Sequence, residues 1–467
     1  MLKLCNGIRV QFIETLDSLI ETSIKQGTSY TDVRHGRVVN KNIIAQNGKI
    51  VDERNCINSG YGIRMLSEGI VTFTSTPRIR FAEKEIKKAI SVSKLLTSWK
   101  KGISELADAP VADSSIVKKP KINWVDLGNE EFEEKIKDLD SFINEFLRVD
   151  CSIETDIQLI NWSEKFRNSE GTKVYQEYPY VILTLTGRLS KNENQLKYYK
   201  SYGGMGGLEI LPFDKMEETL GFIETINNIQ KAKNVEQGLY NSVLSEDMAW
   251  TLNHEVFGHS LEADNVLSGR SFSSGLLGMK IAPSIVSVID DPYIESLGYY
   301  EFDSEGVKGR GNLLVDEGIL TDFLHSRLSA AAMGTESSSN YRASNFEFLP
   351  QVRMSNFFFE PKDYSEEELF EHVKNGLYIG DGLGGSSEPQ TGEYNLDAQF
   401  GREIKDGELG DYILQFQISG TMMDTLSKIE LISDKIIAQP GSCIKNNQRV
   451  FVGSIGPKIT ISEVRVS

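Results

Sequence analysis

Apolar residues recur at two different periods along this chain, and the changes of period mark its elements. Through residues 8–27, Ile13, Leu16, Ile20 and Ile24 fall on one stripe at helical spacing, and Gly27 supplies a stop. Alternation then takes over. Asn40 to Glu53 switches between apolar and polar positions around Asn47-Gly48, the dipeptide favoured in tight hairpin turns, and Gly60 to Ser75 holds two further strand-like runs. The helical period returns from Phe81 to Trp99, through Ile86, Ala89, Ile90 and Leu96. Residues 107–121 are rich in Ala, Pro, Asp, Ser and Lys, and they read as a connection. Beyond them the order returns: a helix carrying Phe132, Ile136, Leu139, Ile143 and Phe146, then strands, then a helix through Met216, Leu220 and Ile223. Helix, strands, helix thus occurs twice. A duplication would give this order, but no residue-level repeat accompanies it.

From about residue 235 the pattern changes. Gly, Ser and hairpin signals dominate, including Asp316-Glu317-Gly318 between Asn312-Leu313-Leu314-Val315 and Ile319-Leu320, and Asp406-Gly407 between two alternating runs. The expected fold class is α+β. An N-terminal domain of helices packed on antiparallel strands spans 1–234, with an internal boundary near 107–121 if it is a duplication. A β-rich C-terminal domain spans 235–467.

The candidate chemistry lies at the start of that second domain. Two of the chain's five histidines bound a six-residue window, His254-Glu255-Val256-Phe257-Gly258-His259. Neutral imidazoles are good zinc ligands, and a carboxylate beside one can take a proton from a water on the metal. Ser245 reads as the N-cap of a helix with acidic residues in its first turn, so the motif sits on that helix's later turns. The spacing is HExxxH and not the familiar HExxH. On a regular α-helix a step of four turns the side chain by about 40°, whereas a step of five turns it by roughly 140°, too far for two imidazoles to share an ion. Either the helix widens into a π-type turn, or it ends near His259 and the chain bends back. Gly258 lowers the cost of both. A straight α-helix through His259 would exclude a shared metal.

A catalytic zinc usually takes three protein ligands, so a third must come from elsewhere. His325 falls on a short helix and His372 in the charged run Glu366 to Asn375, neither with a supporting neighbour, while His35 belongs to a strand. Glu262 and Asp264 could ligate, or could orient the imidazoles from behind. Cys443 lies in a loop, Pro440-Gly441-Ser442-Cys443-Ile444-Lys445, that could approach a metal, although a single cysteine is more often a buried small hydrophobe. The glycine clusters Gly203 to Gly207 and Gly382 to Gly385 lack the Gly-Lys-Ser/Thr ending of a phosphate loop and read as tight turns or plain connections, the second one bordering the cleft.

Composition excludes several other roles. A 467-residue chain with 39% hydrophobic and 25% charged residues can bury a sizeable core. Its formal charge of −17, without a concentrated basic patch, disfavours a nucleic-acid partner. No apolar run is long enough to span a bilayer and no secretory leader stands at Met1, so a cytoplasmic protein without a membrane partner is expected. The four cysteines, Cys5, Cys56, Cys151 and Cys443, are too scattered for a disulfide framework.

Taken together, the motif and several flanking blocks resemble the TldD/PmbA family of metalloproteases, specifically its catalytic TldD-type subunit. The resemblance covers most of the chain and is densest in the second half. It rests on His254 through Asp264, on Gly203-Gly204-Met205-Gly206-Gly207-Leu208-Glu209, on Asp290-Asp291-Pro292 with Phe302-Asp303-Ser304-Glu305-Gly306, on Gly382 to Gly385 with Thr391-Gly392-Glu393-Tyr394, and on Gly441 to Gln448 with Val452-Gly453. It implies Zn2+ held by His254, His259 and Cys443, with Glu255 as general base. It further implies hydrolysis of peptides or unfolded proteins, and either a homodimer or a heterodimer with a PmbA-like subunit of the same fold. An exposed sheet edge in the C-terminal domain could align such a peptide by strand addition. The alternative is a non-catalytic, metal-containing subunit that holds peptides or serves structure. Glu255 separates the two, since a holder needs no base beside its ligand.

Overall fold

The structure is a computed structural model that describes residues 16–96, 104–191 and 194–467. Residues 8–15 of the first expected helix, Trp99 of the second, and Cys5 lie outside this range. The helix over residues 16–25 ends at Gly27, whose φ of 96° only glycine adopts without strain. Tyr30–Gln46 and Lys49–Ser67 form a long antiparallel hairpin through Asn47 and Gly48, at φ 47° and 72°, as a tight primed turn requires. Glu68-Gly69 leads to Ile70–Thr76, and the helix Ala82–Leu96 follows. The second run comprises the helix Asn129–Phe146, the strands Ser152–Asn168, Lys173–Lys191 and Asn194–Met205, and the helix Leu220–Ile229.

Both runs belong to one seven-stranded sheet, joined where Tyr30–Gln46 pairs antiparallel with Ser152–Asn168. Each has its own apolar cluster. Leu16, Ile20, Ile86 and Ile90 pack on Val33, Ile63 and Met65, while Phe132, Ile136, Leu139, Phe222 and Ile226 pack on Ile157, Leu183 and Leu185. One expectation fails here. The stretch 107–121 contains a strand, Asp113–Val117, that pairs in parallel with Lys173 to Glu177, end to end with Asn194–Met205 along the same edge. Its residues alternate between exposed and half-buried, so its composition is that of a surface connection even though its backbone completes a ladder.

The two-residue period of the Lys173–Lys191 strand explains how the halves of the molecule meet. Val181, Leu183 and Leu185 face the helices, whereas Tyr178, Tyr180 and Ile182 face the other way, onto Leu297, Tyr299 and Tyr300 of the C-terminal half. That half is β-rich, with a nine-stranded mixed sheet, a four-stranded sheet and two-stranded ribbons. The turns at Glu317-Gly318 and Asp406-Gly407 form as their sequences suggest, all four residues at positive φ. A buried ionic cluster also ties the halves. Arg64 donates to Asp32 at 2.7 Å and to Glu305 at 2.6 Å, between the rings of Tyr30 and Tyr341. Among the described residues no helix is long and apolar enough to cross a membrane.

Candidate metal centre

Ser245 caps the motif helix by accepting from the Met248 N–H, and Glu246 and Asp247 complete an acidic first turn. Regular α geometry lasts only from Glu246 to Leu252. Asn253–Phe257 is a π turn, in which the Gly258 N–H reaches back five residues to the Asn253 carbonyl. A 3-10 turn over Gly258–Leu261 follows, and Glu262 leaves the helix in an extended conformation. The two departures that an i,i+5 pair demands therefore occur in succession. Gly258 has a different role from the expected one. Its φ of −57° and ψ of −45° suit any residue, but a Cβ there would stand 2.1 Å from Met354 Sδ. It is small because the neighbouring chain comes close.

The widened turn brings His254 and His259 together, their ring centroids 5.3 Å apart. Cys443 completes a group in which one ligand atom from each residue lies within 4.8 Å of the others, and its Sγ is 3.3 Å from His259 Nε2. Tetrahedral zinc with bonds of about 2.0–2.3 Å separates its N and S donors by roughly 3.3–3.6 Å. One pair already has that spacing, and the rest need a closure of about 1 Å. Neither ring nitrogen of His254 makes a hydrogen bond, although the side chain is fully buried against Trp250. A buried imidazole without partners is costly, and a bound cation would remove that cost. The donor set of two imidazoles and a thiol suits zinc.

Cys443 is not in a loop. It sits on Ile437–Lys445, paired with Gln448–Gly456 across an Asn446-Asn447 turn whose residues both have positive φ. Burial pushes its thiol up, but the neighbouring His259 and His254 outweigh this and hold it well below the usual thiol value. His259 moves the opposite way: burial lowers it, while Cys443 and then Glu262 raise it well above the ordinary imidazole value. Behind His259, Glu262 Oε2 accepts from Nδ1 at 3.0 Å, from Asn265 at 3.2 Å and from Lys445 at 2.9 Å. This contact directs Nε2 of His259 toward Cys443. Burial of Glu262 is outweighed by Lys445 and His259, which hold its carboxyl down at about 2. Asp264 reaches the cluster through Lys445, at 2.7 Å, and through the Asn265 N–H, at 3.0 Å.

Glu255 lines a cavity of about 310 Å³ beside the cluster. Two strands form its rim. Gly382–Glu388 approaches so closely that a Cβ on Gly382 would lie 2.6 Å from Thr251 Oγ1, and Gln439 to Ser442 of the cysteine ribbon lie across from it. Asp247 tethers the helix start to this rim, accepting from the Gly382 N–H at 2.9 Å and from Ser454 at 3.0 Å. The N-terminal sheet supplies the far wall, including Thr184, Lys200 and Ser201.

Comparison with known proteins decides the family. Residues 237–467 match the PmbA/TldA metallopeptidase C-terminal domain. A protein named metalloprotease from Methanothermobacter thermautotrophicus is 31% identical over 449 residues, covering 95% of this chain and 96% of its own. The chain belongs to the TldD/PmbA family. A zinc metalloprotease TldD homolog from Saccharolobus solfataricus is 27% identical, over 96% of this chain and 98% of its own. TldE from Thermococcus kodakarensis has the same fold, with a TM-score of 0.79 and 17% identity across 97% of this chain and 100% of its own.

Other TldD/PmbA-like blocks take forms that their sequences did not suggest. Gly203 and Gly204 continue a strand, paired with Ile182 and Val181, because a Cβ on Gly203 would strike the Val181 carbonyl at 2.1 Å. Gly382 to Gly385 likewise form strand, with a register shift at Gly384, which has a φ of 96°. The remaining histidines lie apart from the cluster. His325 precedes the helix Arg327–Met333 and contacts Ser329 at 3.2 Å, His372 pairs with Glu430 at 2.6 Å, and His35 packs on Tyr61. Sequence reasoning passed over Lys445, Asn265 and Arg353. Arg353 is fully buried and donates to the Cys443 carbonyl at 2.6 Å. Lys445, two residues past the cysteine, was the one such signal available along the chain.

Proposed function

We propose that this chain is a zinc-dependent peptidase acting on peptides or unfolded protein segments, with His254, His259 and Cys443 as ligands, Glu255 as general base and residues 235–467 as the metal-bearing domain. The observation that carries the reading is the convergence of these three donors where a π turn widens the helix, one of them a buried imidazole whose ring nitrogens make no hydrogen bond of normal geometry, next to a cavity that Glu255 lines. Zinc at this position would polarise a scissile carbonyl and acidify a water molecule. Glu255 takes the proton of the attacking water and passes it to the departing amine. Glu262 keeps His259 in the tautomer that presents Nε2, and Trp250 holds the ring of His254 from the side.

Among the described residues, Gly382–Glu388 and Ile437–Lys445 each pair on one side only, so free strand edges border the cavity and can take an extended backbone by strand addition. Unfolded chains offer such a backbone. The fold shared with TldE supports association with a second subunit of the same fold. The formal charge of −17 favours a peptide substrate over nucleic acid. The test is zinc per chain and peptide cleavage, measured for wild type, Glu255→Gln and Cys443→Ala. Glu255→Gln keeps zinc and loses cleavage, whereas Cys443→Ala loses both. Undiminished cleavage by Glu255→Gln removes Glu255 as the base.

A further inference from the structure

The Glu255 carboxylate lines its cavity without a hydrogen bond or ion pair among the described residues, so its aim is set through its own backbone. That backbone is unusual. The hydrogen-bond step is five residues over Asn253–Phe257 and three over Gly258–Leu261, and a ladder that changes step puts carbonyls out of line with the N–H groups that would serve them. Side chains meet these carbonyls. Ser260 donates to the Phe257 carbonyl at 2.6 Å, Asn265 to that of His259 at 2.9 Å, and Ser271 and Ser273 both to that of Ser260 at 2.6 Å. The Glu255 carbonyl accepts from Ser387 Oγ at 2.6 Å. Of these donors, Ser387 is the one that comes from a distant strand, 132 residues on.

Ser387 lies on Gly382–Glu388, the strand whose free edge borders the cavity. The strand is tied to the motif helix near both of its ends, by the Gly382 N–H to Asp247 at the helix start and by Ser387 to Glu255 at the π turn. Ser387 is half-buried between the exposed Ser386 and Glu388, because its hydroxyl turns to the helix. A peptide bond is planar, so holding the Glu255 carbonyl fixes the plane between Glu255 and Val256, and with it the ψ of Glu255 and the direction in which its side chain leaves. We propose that Ser387 is a positioning residue for Glu255, which sets the base at a fixed place relative to the strand edge that takes the peptide. The proposal rests on the peptidase reading above for what the base does. A peptide added to that edge pairs with backbone, so the hydroxyl governs turnover and not binding.

The experiment compares Ser387→Thr, which keeps the hydroxyl, with Ser387→Val, which matches threonine in size and lacks it; both suit a strand. In the first arm, amide hydrogen exchange of residues 253–260 is followed by mass spectrometry on the full-length protein as purified. Exchange roughly three- to tenfold faster in Ser387→Val is expected, the worth of one hydrogen bond, with Ser387→Thr at the wild-type rate. In the second arm, zinc per chain is measured together with cleavage of an unstructured fluorogenic peptide. Ser387→Val lowers kcat by roughly ten- to a hundredfold, with KM within about twofold and zinc unchanged, and Ser387→Thr restores kcat. Equal exchange in the two variants overturns the tether. Faster exchange with an unchanged kcat overturns the positioning role, and so does loss of zinc from Ser387→Val, which assigns the bond to the ligand pair. A wild-type protein that cuts no peptide, with the exchange difference present, keeps the tether and sinks the peptidase reading instead.

Discussion

Replacing Glu262 by glutamine and by alanine isolates what the group behind His259 contributes to metal binding. All three of its contacts converge on Oε2: His259 Nδ1 at 3.0 Å, Lys445 at 2.9 Å and Asn265 at 3.2 Å. Glutamine retains an oxygen that can accept from Nδ1, so the tautomer survives and only the charge is lost. A hydrogen bond to a charged group contributes about 1.5–3 kcal/mol against about 0.5–1.5 kcal/mol for a neutral one, a difference of roughly 1–1.5 kcal/mol. Zinc affinity then falls about tenfold. Alanine removes the acceptor as well and frees the His259 ring to turn, which extends the loss to about a hundredfold, the upper end for partners of metal-bound histidines. Competition with a chromophoric chelator at pH 7.5 measures both values. If both variants bind zinc within twofold of wild type, Glu262 does not tune the site through His259.

Three further outcomes follow from the same contacts. Arg64→Met strips Asp32 and Glu305, 2% and 1% exposed, of their shared guanidinium and leaves Glu305 the Arg327 N–H, and urea unfolding should register a loss of about 3–5 kcal/mol; a loss below about 1 kcal/mol would show that the halves are held together by other means. Gly258→Ala gains about 1 kcal/mol of helix propensity but forces Met354 aside, at about 1–3 kcal/mol, so the expected result is lower stability together with lower zinc occupancy, read by denaturation and metal analysis. The Glu262 carboxyl, held at about 2 in the fold, contributes stability that is complete above the ordinary glutamate pKa of about 4.3 and disappears as the pH falls toward 2. Its loss in metal-free Glu262→Gln is about 3 kcal/mol at pH 7 and shrinks through that acid window, which urea titrations at several pH values can follow.

Local chemistry was readable wherever neighbours along the chain decide the outcome. Asn47-Gly48, Glu317-Gly318 and Asp406-Gly407 turn because of their own φ preferences, Ser245 caps because it precedes an acidic turn, and a five-residue histidine step on a helix requires a widened turn. Where a long-range partner decides, the same reasoning failed. Asp113–Val117 is a strand because the Lys173–Lys191 edge is open beside it, and Gly203 and Gly258 are glycines because Val181 and Met354 crowd them.

The sequence by itself therefore determined the two local candidate ligands, the adjacent carboxylate and the irregular helix they require, since all of these lie within one short stretch of chain. Cys443 entered through family resemblance, and neither composition nor spacing selects it. Only the tertiary structure brings its sulfur to 3.3 Å from an imidazole 184 residues earlier, sets Lys445 and Arg353 around the cluster, and builds the Glu255 cavity from both halves. The physical reason is that backbone preferences act over a few residues, whereas burial and charge pairing act between whichever residues the packed sheets bring face to face.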